Sequence, residues 1–145
     1  MSNYKGPYNS FSQNAEPIYS QSNILGTVSQ SNGVPTGAII ERGSNTNGEF
    51  VKFADGTLIC NCSMQSITIG ANSNENIIFT LPATTVSSTV NGYVAGRNLG
   101  GTVIIVASGR ARVSSPTTMD VRFLNLSTSL EQTASVSAIL IGRWY

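Results

Sequence analysis

The sequence contains no histidine. That removes the commonest general base and excludes Ser-His-Asp and Cys-His nucleophile systems outright. Charge is scarce too: eight Lys plus Arg stand against seven Asp plus Glu in 145 residues, a net of +1. Only 10% of the residues are charged, well below the roughly 25% of ordinary globular domains, so Ser, Thr, Asn and Gln must supply the solubility. A clustered basic face of the kind nucleic acid requires is missing. The longest apolar run, VIIVA at 103–107, is far too short to cross a bilayer. The opening MSNYKGPYNS has no basic start followed by an apolar stretch, so no secretory signal is read, and synthesis in a cytoplasm is expected.

Two cysteines make no disulfide framework. They fall at Cys60 and Cys62, in the stretch NGEFVKFADGTLICNC at 47–62. In a strand, residues i and i+2 share a face, which groups Leu58, Cys60, Cys62 and Met64 as one apolar row. A disulfide across that spacing is geometrically poor, and zinc wants about four ligands that the chain does not offer. Buried reduced thiols acting as small hydrophobes are expected, with a metal shared between symmetry-related chains as the rival. Among the acids, Glu41, Glu49 and Asp55 are near in sequence, yet Asp55 is committed to a turn and nothing singles out a catalytic pair. GRNLGG at 96–101 lacks the strand-to-helix context of a nucleotide fingerprint. No enzyme, cofactor or metal is expected.

What is present is β punctuation. Residues 1–33 form a polar, Ser/Asn/Gln-rich stretch in which Pro7 and Pro17 discourage a long helix. It reads as an arm, with Tyr4, Tyr8, Phe11 and Tyr19 as candidate docking residues. Residues 34–145 carry recurrent turn signals at Gly43, Asn47-Gly48, Asp55-Gly56, Asn91-Gly92, Gly100-Gly101 and Gly109, separated by short runs rich in Val, Ile, Thr and Phe. EFVKFA and TLICNCSM flank Asp55-Gly56, a type I′ hairpin signal. Further strands are expected at NIIFTLP, TVNGYVAGR, GTVIIVASGRARV, TMDVRFLNL and SVSAILIGRWY. The fold class is all-β, a small antiparallel β-sandwich with an extended N-terminal arm.

Two strands carry most of the remaining information. In the hairpin around SSPTT, Met119, Val121 and Phe123 share one face, and Asp120 and Arg122 share the other. Matching polar to polar puts Arg112 opposite Asp120 and Arg110 opposite Arg122 across a loop at 114–118. The second pair sets like charges against each other. It reads either as an anion or acidic-sugar site or as two solvated side chains screened by salt. In the last strand, Val136, Ala138, Leu140, Gly142 and Trp144 line one face, with Ile139, Ile141, Arg143 and Tyr145 on the other. Apolar groups on both faces suit either a subunit interface or a central, doubly covered strand.

The run NILGTVSQSNGVPTGAIIERGSNTNGEFVKFADGTLIC at 23–60 and the closing IGRWY at 141–145 resemble the tail-fibre and tail-tip receptor-binding modules of tailed bacteriophages. FTLPA at 79–83 and NGYVAG at 91–96 are similar to the middle strands of that family. Asn61-Cys62 departs from it, since an aromatic residue often follows the first cysteine there. The resemblance implies an H-type-lectin-like sandwich, a homotrimer, display on a virion made in a host cytoplasm, and attachment to a host-surface glycan or other envelope component. It also implies other virion proteins as partners of the arm, with no nucleic acid and no membrane insertion. Candidate contacts are then Arg110, Arg112, Asp120 and Arg122, with Asn72 and Asn74 from the loops. The alternative is a head or tail decoration or adaptor protein docked through the arm.

Overall fold

The computed structural model describes residues 24–86, 91–98 and 105–145; of 91–98 and 105–114 the backbone alone is described. Every regular element among the described residues is a strand. The first five are β1 (Gln30–Ser31), β2 (Val34–Pro35), β3 (Ile40–Asn45), β4 (Gly48–Phe53) and β5 (Thr57–Cys62). Then follow β6 (Gln65–Ile69), β7 (Ser73–Thr80), β8 (Asn91–Asn98), β9 (Ile105–Ser115), β10 (Thr118–Asn125) and β11 (Gln132–Arg143). The larger sheet runs β3-β4-β5-β11-β6, with β8 on the other edge of β11, and the smaller sheet runs β7-β10-β9. All named ladders are antiparallel. The all-β antiparallel sandwich expected from the sequence is the fold found.

The core forms where the two sheets face each other. Leu58, Cys60 and Cys62 of β5, Ile67 and Ile69 of β6, and Ala134, Val136, Ala138 and Leu140 of β11 meet Ile77 and Phe79 of β7 and Met119, Val121 and Phe123 of β10. Each large apolar side chain taken fully out of water contributes about 1.5–3 kcal/mol before conformational entropy is counted. The period-2 alternation in β5, β10 and β11 therefore decides which face turns inward.

Met64 does not continue the inward row of β5. The strand stops at Cys62, where the Ser63 amide donates to the Asn47 carbonyl at 2.8 Å and the Ser63 hydroxyl to the Thr46 carbonyl at 3.1 Å. These bonds turn the chain, and Met64 ends 64% exposed. The Asp55-Gly56 turn also differs from the expected type I′. Gly56 has φ of 92°, Asp55 has no positive φ, and the Gly56 amide donates to the Phe53 carbonyl at 3.0 Å. That is a three-residue loop, Ala54-Asp55-Gly56, with the glycine as the left-handed residue that ends it. Positive φ at both central positions occurs instead at Asn32 (51°) and Gly33 (81°), between β1 and β2.

The β4–β5 turn is held from the far end of the chain. Its four successive carbonyls all accept hydrogen bonds from the three residues that follow Gly142. Trp144 Nε1 donates to Phe53 O at 2.8 Å, the Tyr145 hydroxyl to Ala54 O at 3.0 Å, Arg143 Nη2 to Asp55 O at 2.9 Å, and the Trp144 amide to Gly56 O at 3.0 Å. The Arg143 carbonyl accepts in turn from the Thr85 hydroxyl at 2.7 Å and the Val86 amide at 3.0 Å. Trp144 packs on the core edge beside Phe50, and Lys52 Nζ lies 5.2 Å from the Phe50 ring centroid and 5.9 Å from that of Trp144.

Two stability measurements follow from these contacts. Trp144→Ala removes the indole from the core edge and leaves the Phe53 carbonyl with the Gly56 amide as its remaining donor, and is expected to cost about 2–4 kcal/mol in urea unfolding; a loss under 1 kcal/mol contradicts the clasp. Gly48 has φ of 134°, and a Cβ there would collide with the Asn61 carbonyl. Gly48→Ala is expected to cost about 3 kcal/mol. Gly70→Ala, whose Cβ would meet no atom nearer than 3.9 Å, should stay within about 0.5 kcal/mol of the wild type.

Candidate functional site

The polar face of the smaller sheet brings several of the sequence candidates together. Asp120 lies opposite Arg112 in the β9–β10 ladder, the register that polar matching implies. The second expected pair is not formed. The ladder shifts between Val121, opposite Ala111, and Phe123, opposite Ala107, so Arg122 falls in the irregularity and has no direct partner on β9. An expectation built on a continuous ladder misses such a bulge, because extra residues on one strand leave its own alternation readable. The side chains of Arg110 and Arg112 lie outside the described residues.

Arg122 turns instead to β7. Its Nε and Nη2 both donate to Asn74 Oδ1, at 3.1 and 2.7 Å. The exposed guanidinium is thus oriented by an amide, and no carboxylate pairs with it among the described residues. Asn72 sits in the β6–β7 loop with φ of 48°, and its amide donates to Ser127 O at 2.7 Å. The organiser of this end is Asn125, which the sequence reading did not single out. Its Nδ2 donates to the carbonyls of Ile69, Gly70 and Leu130 at 3.0, 2.9 and 2.8 Å, and its Oδ1 accepts from the Ser127 amide at 2.9 Å. A buried amide meets this need because it offers donors and acceptor from one side chain. Nothing in the local sequence distinguishes Asn125 from the many other asparagines.

The remaining candidates are distributed elsewhere. Ile139 and Ile141 lie on the outward face of β11, 41% and 39% exposed. Arg143 and Tyr145 belong to the clasp on the β4–β5 turn. The arm residues Tyr4, Tyr8, Phe11 and Tyr19 lie outside the described residues.

Glu41 and Asp55 have structural employment. Glu41 accepts from the Val28 amide at 3.0 Å and pairs with Lys52 at 3.4 Å. The Thr57 amide at 2.8 Å, followed by the Thr57 side chain, holds the Asp55 carboxyl below its usual range. No group of three or more His, Cys, Asp or Glu stands together as a metal site among the described residues.

Cys60 and Cys62 are free thiols in the core, and burial pushes both from 9.0 up to about 11. At neutral pH they are protonated and poor nucleophiles. In the unfolded chain the same thiols lose their protons near pH 9, before the native ones do. Rising pH therefore favours unfolding: the stability they contribute is whole below about pH 9 and is lost towards pH 11, by about 2 kcal/mol per thiol. Alkaline urea titrations should show that loss and Cys60→Ala/Cys62→Ala should flatten it. Native protein should resist a thiol reagent at pH 8 until denatured; rapid native labelling contradicts the buried state.

No family model matches this sequence, and no curated protein matches it. Among solved structures the chain is similar to a P. aeruginosa R1 pyocin fibre fragment comprising C-terminal residues of that fibre, with a TM-score of 0.52 and 13% identity. The likeness covers 95% of this chain and 40% of that one, so the chain spans less than half of the fragment. At that identity, what is shared is the fold.

Proposed function

We propose that the protein is a non-enzymatic virion component of fibre or tail-tip type, displaying its sandwich as a homotrimer for attachment to host-surface polysaccharide. The observation that carries this reading is the fold shared with a pyocin fibre over 95% of the chain. The FADGT and GRWY motifs support it from the sequence side, because they are the two parties to the clasp between the β4–β5 turn and the last strand. The thiols, protonated and buried, offer no nucleophile, and the chain has no histidine to act as a base.

The proposed attachment surface is the row of Arg110, Arg112, Asp120 and Arg122, with Asn72 and Asn74 beside it. Arg122 is oriented by Asn74 before any ligand arrives, which lowers the entropy lost on binding. A guanidinium so held suits the carboxylate of an acidic sugar, with amides and hydroxyls around it for neutral hydroxyl groups. Weak single contacts gain from display in several copies. Ile139 and Ile141 are proposed subunit contacts, and Tyr4, Tyr8, Phe11 and Tyr19 are proposed to dock residues 1–33 on another virion protein.

Labelled protein tested against intact cells of a panel of bacterial strains checks this reading. Saturable binding to some strains, competed by their soluble surface polysaccharide and weakened at least about tenfold by Arg122→Ala, is expected. A folded chain that binds no strain overturns attachment and leaves a decoration or adaptor role held by the arm.

A further inference from the structure

The larger sheet has an outward face that is left partly exposed among the described residues. Strand register sets Val51 opposite Ile59 and Ile59 opposite Ile141, while Ile139 stands one row along, opposite Asn61. Leu58, Cys60, Cys62, Ala138 and Leu140 occupy the core side of the same strands, so these four apolar residues lie on the far side. Val51 and Ile59 are partly buried, and Ile139 and Ile141 remain about two-fifths exposed. The result is an apolar strip crossing β4, β5 and β11.

Two charges adjoin the strip on the same face. Arg42 lies opposite Val51, and Glu49 lies opposite both Ser44 and Asn61. Both are exposed, and neither has a side-chain partner among the described residues. Lys52 and Glu41, on the opposite face, are paired with each other at 3.4 Å. A chain with so few charges thus keeps one cation and one anion side by side at the rim of its apolar strip.

We infer that this face packs against the same face of a second copy of the chain, with Arg42 of one copy paired to Glu49 of the next. An apolar centre with a polar rim is the anatomy of a protein interface. The balance of signs selects the occupant. A strip flanked by one positive and one negative group is complementary to itself when the copies are related by rotation. A polyanion or an all-acidic partner would leave Glu49 opposed by like charge. The inference deepens the self-association part of the reading above by naming the face and its ion pair. It is separable from attachment, because assembly is measured without cells.

Sedimentation equilibrium of the full chain tests it on four proteins: wild type, Ile139→Lys, Glu49→Arg and Arg42→Glu/Glu49→Arg, each checked for a native circular dichroism spectrum. The wild type is expected to self-associate. Ile139→Lys and Glu49→Arg should each weaken association at least about tenfold, and the charge-swapped double variant should recover to within about threefold of wild type. Association weakened and rescued in this pattern supports the face whatever the order of the oligomer. A wild type that stays monomeric at its highest soluble concentration overturns the inference, as does assembly of equal strength in all four. Loss in Glu49→Arg without recovery in the double variant overturns the ion pair. Cell binding by a chain that fails these tests would leave attachment standing and remove only the proposed interface.

Discussion

Four carbonyls in a row on the β4–β5 turn need donors, and the end of β11 brings them. Within the turn's own backbone the Gly56 amide serves the Phe53 carbonyl alone, and leaving the other three unpaired is costly. Arg143, Trp144 and Tyr145 meet the need with two ring or hydroxyl donors, one guanidinium and one amide. Much else depends on this clasp. It fixes the register of β11 against β5, from Ile139 opposite Asn61 to Arg143 opposite Thr57. That register sends Val136, Ala138 and Leu140 inward and Ile139 and Ile141 outward. A one-residue slip would exchange the two sets and empty the core.

β11 then organises the rest of the larger sheet. One edge pairs β6 along its first half and β5 along its second, while the other edge pairs β8. It is thus central in its sheet by pairing, while Ile139 and Ile141 on its outward face stay about two-fifths exposed among the described residues. The smaller sheet closes over the core through Phe79 and Phe123, and Asn125 ties its far end to the β6–β7 loop and the β10–β11 loop. The Asn72 amide adds a further tie there, to Ser127 O at 2.7 Å.

The sequence made legible what depends on near neighbours. Alternation in TLICNC, TMDVRFLN and the strand from Gln132 to Arg143 follows from the period of the backbone, and the inward rows are as expected from it. β3 and β6 were not legible: IERGSN is charged and contains glycine, and QSITI is short and follows a chain reversal. The reversal after Cys62 depends on bonds from Ser63 to the β3–β4 turn, so the exposure of Met64 was hidden in residues far from its own strand. The bulge opposite Arg122 was hidden for a related reason, since cross-strand register belongs to the pair of strands. The clasp motifs were legible as a resemblance, but the donors and acceptors joining them across 91 residues were not. Of the candidate contacts, sequence brought Arg112 and Asp120 together; the link from Arg122 to Asn74 needed the fold.

The separation within the clasp has a consequence for biogenesis. At about 5–20 residues per second, a ribosome needs roughly 5–20 s to make the 91 residues between Phe53 and Trp144. For most of that interval β5 exists without the strand that pairs with its open edge. Leu58, Cys60 and Cys62 face water, and one long edge of β5 offers unpaired amides to any neighbouring chain on the polysome. The thiols that are inert in the finished sandwich pass through a period of ordinary reactivity. A reducing compartment and a prompt encounter with β11 both protect the nascent chain.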